Sequence, residues 1–178
     1  MRGLAIIGAA LAGTLGTAVL ASDLRPYDME NIPLAEINLQ GGSFEAQLLE
    51  ADAPFKSQLY LACTNCATDT NALVGVSAAP AHEIADFQAD AAKFIGEIEA
   101  ICVSRAERCD IGPMRTHGLE GYGYTAHFSD GYKIVEHIYY GTELMFIVNA
   151  VSISAEIAEA NVQTLIDVAG PYVTGAKQ

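Results

Sequence analysis

Residues 118–152 read GLEGYGYTAHFSDGYKIVEHIYYGTELMFIVNAVS. Three runs rich in Tyr, Val, Ile and Phe are separated by Ser129-Asp130-Gly131 and by Tyr140-Gly141-Thr142-Glu143. Aromatic and β-branched residues suit a pleated, half-buried surface, and Asp-Gly between such runs is a hairpin signal. The stretch predicts three antiparallel strands over 119–151. With Asp130-Gly131 as a two-residue loop, Ser129 faces Tyr132, His127 faces Ile134 and Tyr124 faces His137. With Gly141-Thr142 as the second loop, Tyr139 faces Leu144, His137 faces Phe146 and Val135 faces Val148. One face then holds Tyr122, Tyr124, Ala126, Phe128, Val135, His137, Tyr139, Leu144, Phe146, Val148 and Ala150, which makes it the core face.

Downstream, Ser154 is a good N-cap with Glu156 in the first turn. Ile157, Val162, Leu165, Ile166 and Val168-Ala169 form the apolar stripe of a helix that Gly170-Pro171 should end. Upstream, Ile84, Phe87, Ala91, Phe94, Ile95, Ile98 and Ile101 recur at spacings of three and four, predicting one long helix over about 81–103. Asp86, Asp90, Lys93 and Glu97 fall on its solvated side. Alternating texture predicts strands at 34–40, 43–50, 55–63 and 72–79. The fold class is therefore α+β: an antiparallel sheet with one long middle helix and a C-terminal helix packed on it.

The first residues carry one charge, Arg2, then a short apolar run ending Ala18-Val19-Leu20-Ala21. Small residues at Val19 and Ala21 suit a cut after Ala21, so residues 1–21 read as a secretory signal peptide. Residues 22–33, with Pro26 and Pro33, read as an irregular leader, and 34–174 as a single domain. The expected location is periplasmic or extracellular, with no membrane span once the signal is removed. The chain has 9 Lys+Arg against 22 Asp+Glu, a net charge of −13. Such a field repels nucleic acid and anionic headgroups. A protein partner or a small ligand is expected instead.

An oxidising compartment makes disulfides the default for Cys63, Cys66, Cys102 and Cys109. Three pairings exist. Sequence neighbours favour Cys63–Cys66 and Cys102–Cys109, and cross-pairing of the two loops stays open. The C-x-x-C at 63–66 lacks the following His of a haem attachment, since position 67 is Ala. A redox dithiol needs its first Cys at a helix N-terminus, and the β-like text after Cys66 offers none. Zinc on all four cysteines would require unusual spacing in the second pair. The structural staple is the favoured reading, with no metal and no cofactor.

His127 and Glu136 lie diagonally on one face in this register, as an ion pair or a small site. His127 and His137 fall on opposite faces. The tyrosine-rich strands offer a candidate binding surface comprising Tyr122, Tyr124, His127, Tyr132, Glu136 and Tyr140. No G-x-S-x-G, H-E-x-x-H or phosphate loop is present. The functional expectation is an exported, non-enzymatic accessory or binding domain. The alternative is a thiol–disulfide redox protein or a small enzyme using Cys63/Cys66 or His127/Glu136.

The ending of the chain, Gly118 through Ala169, runs strand, Asp-Gly, strand, Gly, strand, helix. In that order it resembles PsbP-like α/β/α sandwich domains. The resemblance covers the later half and departs from that family in the N-terminal strands and the cysteines. It implies an accessory, non-catalytic role, and no catalytic residue carries across.

Overall fold

Seven strands make one antiparallel sheet in the computed structural model, which describes Leu24 and residues 31–49, 55–66 and 70–175. The elements are β1 (Phe44–Leu49), β2 (Phe55–Cys63), β3 (Asn71–Ala78), α1 (Ala81–Ala89), α2 (Ala91–Val103), β4 (Arg108–Thr116), β5 (Leu119–His127), β6 (Lys133–Tyr140), β7 (Leu144–Ser152) and α3 (Ala155–Val173). Their order in the sheet is β1-β2-β3-β7-β6-β5-β4. Two meanders, β1-β2-β3 and β4-β5-β6-β7, therefore meet along a single β3–β7 seam. The proposed signal peptide lies outside the described residues. Of the leader residues that are described, Leu24 and Ile32 are buried in the core.

The first hairpin of the opening stretch has three loop residues, not two. The Phe128 N–H donates to Tyr132 O, the Gly131 N–H donates to Phe128 O, and Gly131 has φ +91°. That is a turn closed by a left-handed residue, which glycine adopts freely. The extra residue shifts the register by one: Tyr124 pairs with Glu136, His127 with Lys133 and Gly123 with His137. Because side chains alternate, every residue of β5 moves to the other face. In the second hairpin Tyr140 pairs with Met145 and the Gly141 N–H donates to Leu144 O, so the two-residue loop is Thr142-Glu143 and the register moves by two. That shift is even, so β6 and β7 keep their expected faces.

The sheet is consequently covered on both sides. On one side Val74, Val76, Val135, Tyr139, Phe146, Val148 and Ala150 pack with Ala158, Val162, Leu165 and Ile166 of α3. On the other, Tyr122 and Tyr140 pack with Ile84 and Phe87 of α1 and Phe94 of α2. Tyr122, expected beside Val135, instead lies under the middle helices.

The predicted long helix is two helices. Asp90 leaves the helical region at φ −157°, ψ 84°, and its side chain accepts a 3.0 Å bond from the Lys93 N–H. Asp is a strong N-cap because its carboxylate satisfies a donor the helix start leaves open. The apolar period survives the break, since Phe87 and Phe94 still meet edge to face at 5.8 Å.

Strand β4 lies where the sequence pattern predicts no element. Gly112 and Pro113 interrupt its alternation, and the sheet order puts it at an edge, where a missing N–H is tolerated. His117 (φ +46°) and Gly118 (φ +80°) turn it into β5. The expected strand at 34–40 is instead a 3-10 turn, Leu34–Glu36, set by Pro33. After it, Gln40 is tied to buried Asn161 of α3 by two hydrogen bonds, 2.6 and 3.1 Å. Helix α3 begins at Ser154 as expected but continues through Gly170-Pro171. Pro171 falls in the last turn, where one lost donor costs little. Gly170 leaves room for the His117 ring, whose Cδ2 would lie 2.3 Å from any Cβ there.

Candidate functional site

The predicted binding surface does not form as one patch. Tyr122 and Tyr140 are core residues, each 4% exposed. Glu136 and His127 point to opposite sides of the sheet, because Glu136 pairs with Tyr124 while His127 pairs with Lys133. The His127/Glu136 site is thus corrected by the one-residue shift. Tyr132 sits at the hairpin loop. The alternation that separates these residues also brings others together, in two depressions on opposite faces.

The first is a cleft of about 290 Å³ beside the end of α2. Its apolar walls are Ile98, Ile101, Ala126, Phe128 and Ile134, with Tyr124, Glu136 and Arg105 as polar groups. The Tyr124 hydroxyl donates to Glu136 Oε1 at 2.9 Å, and Asn149 Nδ2 donates to Oε2 at 3.2 Å. Both carboxylate oxygens are therefore held, and the side chain cannot swing freely. Burial, reinforced by the Glu136 charge, pushes the Tyr124 hydroxyl far above its ordinary value, so it acts as a donor and not as a base. The Cys102–Cys109 disulfide, another wall residue contributing through Cys102, fastens the last turn of α2 to β4. The cleft wall is therefore fixed covalently.

The second is an open groove of about 720 Å³ between α3 and the β4–β6 side of the sheet. Gly112, Gly123 and Met114 make its floor with His137, and Asp110, Glu156 and Glu159 give it an acidic rim. A Cβ at Gly123 would lie 2.5 Å from His137 Cδ2, so the glycine is what admits the ring. His137 Nδ1 lies 3.1 Å from the Tyr139 hydroxyl. At one end Asp110 receives Arg108 at 2.5 Å and His127 at 3.2 Å, and chiefly the Arg108 hydrogen bonds lower its pKa. His127 and His137 do share this face, contrary to expectation. They sit four strand positions apart, about 13 Å at the usual rise, too far for one metal. Among the described residues no group of three His, Cys, Asp or Glu could hold a metal ion.

Burial lowers the pKa of His137. Below the ordinary histidine value, about 6.5, the unfolded chain takes up a proton that the native state resists. The contribution of His137 is therefore complete above that pH and is lost as pH falls toward the native pKa. The urea midpoint should drop between about pH 7.5 and 5.5, and His137→Asn should flatten that drop. An unchanged slope in the variant would assign the acid sensitivity elsewhere.

The cysteines pair as sequence neighbours, Cys63–Cys66 and Cys102–Cys109, with none free. Cys63 ends β2 and Cys66 lies in the loop beyond it. Among the described residues no helix starts at Cys63, which ends a strand, so that thiol has no helix dipole to activate it. The bond lies against the Gly41-Gly42 turn: a Cβ at Gly42 would be 2.6 Å from Cys66 Sγ. Asn65 Oδ1 accepts the Ser43 N–H at 2.6 Å and the Thr64 N–H donates to Ser43 O at 2.8 Å. The motif thus ties the turn before β1 to the end of β2.

Sequence reasoning found Tyr122, Tyr124 and Glu136, which all line the cleft, but missed Arg105, Asn149 and the groove around His137. Asn149 shares a face with Glu136 in the expected register as well, and the observed register moves it from a diagonal position to the one directly opposite.

No protein-family model matches the chain, and no curated protein matches it. Among solved structures, a GTP binding regulator from Thermotoga maritima is similar to it at 9% identity and a TM-score of 0.36, over 86% of this chain and 94% of that one. A likeness of that size carries no argument about fold or function.

Proposed function

We propose that this protein is an exported, non-enzymatic accessory or binding domain, held together by its two disulfides, and that its ligand site is the cleft beside α2. The observation that carries the reading is the Tyr124–Glu136–Asn149 arrangement at an apolar cleft whose wall is fastened by Cys102–Cys109. Small-molecule sites have this composition: apolar walls with a few fixed polar groups, formed before the ligand arrives. Two disulfides suit the oxidising compartment expected from the signal-peptide pattern of residues 1–21. The resemblance of residues 118–169 to PsbP-like domains supports an accessory role.

The reading is tested on protein recovered after export, by intact mass and by thiol titration. The expected product begins at Ser22, carries both disulfides, and shows no reactive thiol until it is denatured and reduced. A native thiol that reacts readily and titrates well below the free cysteine value, about 8.5, would replace this reading with the redox one. In that case Cys63–Cys66 is the pair to examine, because it lines a polar depression of about 370 Å³.

A further inference from the structure

We infer that the cleft beside α2 takes a small zwitterion with an apolar side group, the chemistry of an apolar α-amino acid. The inference rests on the cleft being the binding site and adds what it selects. At about 290 Å³ the cleft lies at the bottom of the usual range for small-molecule sites, roughly 300–1,000 Å³. It suits a ligand of modest size. Ile98, Ile101, Ala126, Phe128 and Ile134 ask for an apolar group, and Ile101 is left half-exposed at 50%.

The two charges in the cleft decide the rest. Glu136 uses one acceptor position on each oxygen, and a carboxylate offers about four. Arg105 has five donors, and among the described residues its guanidinium forms no ion pair. The opposite signs line one small space. A purely anionic ligand satisfies Arg105 but meets Glu136 and a chain of net charge −13. A purely cationic ligand satisfies Glu136 but meets Arg105. An uncharged apolar ligand desolvates the carboxylate and returns nothing to it, which is costly. A zwitterion gives its ammonium to Glu136 and its carboxylate to Arg105, and its side group covers the isoleucines.

The test is calorimetric titration of the disulfide-intact mature protein with four probes: leucine, isocaproate (leucine without its amino group), isoamylamine (leucine without its carboxylate) and glycine. Leucine should bind, and each of the others should bind at least about tenfold more weakly, as expected for the loss of one charge-assisted hydrogen bond or of the apolar group. Glu136→Gln and Arg105→Gln should each weaken leucine by about tenfold or more on the same grounds. Arg105 is exposed, so its variant tests the site without threatening the fold. Ala106→Trp, which fills the cleft, should abolish binding while the thermal transition is kept.

Isocaproate or isoamylamine binding as tightly as leucine overturns the zwitterion and leaves the cleft standing as the site. Leucine binding untouched by all three variants also overturns it, because the ligand is then elsewhere. Failure of every probe, together with an apolar fluorescent dye whose binding Ala106→Trp does not change, removes the cleft itself as a site.

Discussion

Gly121→Ala is expected to abolish the native fold. Gly121 lies in β5 opposite Tyr139, and a Cβ built there would come 1.8 Å from Ile138 O and 2.8 Å from Tyr139 Cα. These are backbone atoms of β6, a strand paired on both sides, so no rotamer change can relieve the contact. Overpacking against side chains costs about 1–3 kcal/mol and more where the backbone must move. A whole domain is stable by only about 5–15 kcal/mol. Circular dichroism should show no cooperative melt, or one lowered by well over 10 °C at roughly 2–4 °C per kcal/mol. Gly96→Ala is the control. It lies in α2 with nothing within 4 Å of its would-be Cβ, so it should be neutral or stabilise by about 0.5–1 kcal/mol. A wild-type melt for Gly121→Ala would contradict the β5–β6 register.

Alkali should unfold the protein in one cooperative step, with the buried phenols ionising only as the chain opens. Tyr122, Tyr139 and Tyr140 are between 2% and 4% exposed. Burial raises all three above the ordinary tyrosine value, Tyr139 to about 12 and the other two further. The half-buried Tyr124 is raised as well. Their stabilising contribution is complete below the unfolded value, about pH 10, and is lost as pH rises through the folded values, because the unfolded chain releases protons that the native state keeps. Each of the three buried hydroxyls withdraws about 1.4 kcal/mol per pH unit above that point. Together they remove about 4 kcal/mol by roughly pH 11, much of the stability of an ordinary domain. Phenolate absorbance and far-ultraviolet circular dichroism should therefore change together for these residues. Tyr140→Phe should move the alkaline midpoint upward. It also removes a buried hydroxyl that has no hydrogen-bond partner in good geometry. Phenolate absorbance from all eight tyrosines before any unfolding would refute the burial argument.

Strand content was legible where apolar residues recur at period two. β2 and β3 fall where the alternation puts them, and so do the three strands of 119–151. What a short stretch could not convey was loop length. Asp130-Gly131 signals a turn, but the same dipeptide serves a two-residue loop or a three-residue one in which Gly131 adopts the left-handed conformation. That single residue decided which side of the sheet Tyr122 and Tyr124 occupy. It turned Glu136 from a neighbour of His127 into the acceptor for Tyr124. β4 was hidden because Pro113 and Gly112 are poor strand residues that an edge position tolerates. Asp90 was legible only as a polar residue on a helix, since helical spacing continues across the break it makes. Arg105 could not be placed at the cleft because nothing local brings the end of α2 over β5 and β6. Residue 34–40 alternation was a false signal, overridden by Pro33 and by the attachment of Gln40 to Asn161.

The single seam between the meanders sets the order in which the molecule can be assembled. Each meander forms from hairpins close in sequence, but β3 acquires its second neighbour only when residues 71–78 meet residues 144–151, the nearest of which, Ala78 and Leu144, lie far apart along the chain. Closing so long a loop is entropically slow. Until then β3 presents a row of unpaired backbone groups beside Ala72, Val74 and Val76, all fully buried in the finished molecule. Such an edge is a template for another chain. Neither disulfide spans the seam: one joins residues 63 and 66, the other 102 and 109. Oxidation therefore does not shorten the wait. From this topology the zipping of β7 onto β3 is expected both to limit folding and to bound the interval open to misassembly, so dilution rather than added oxidant should raise the refolding yield.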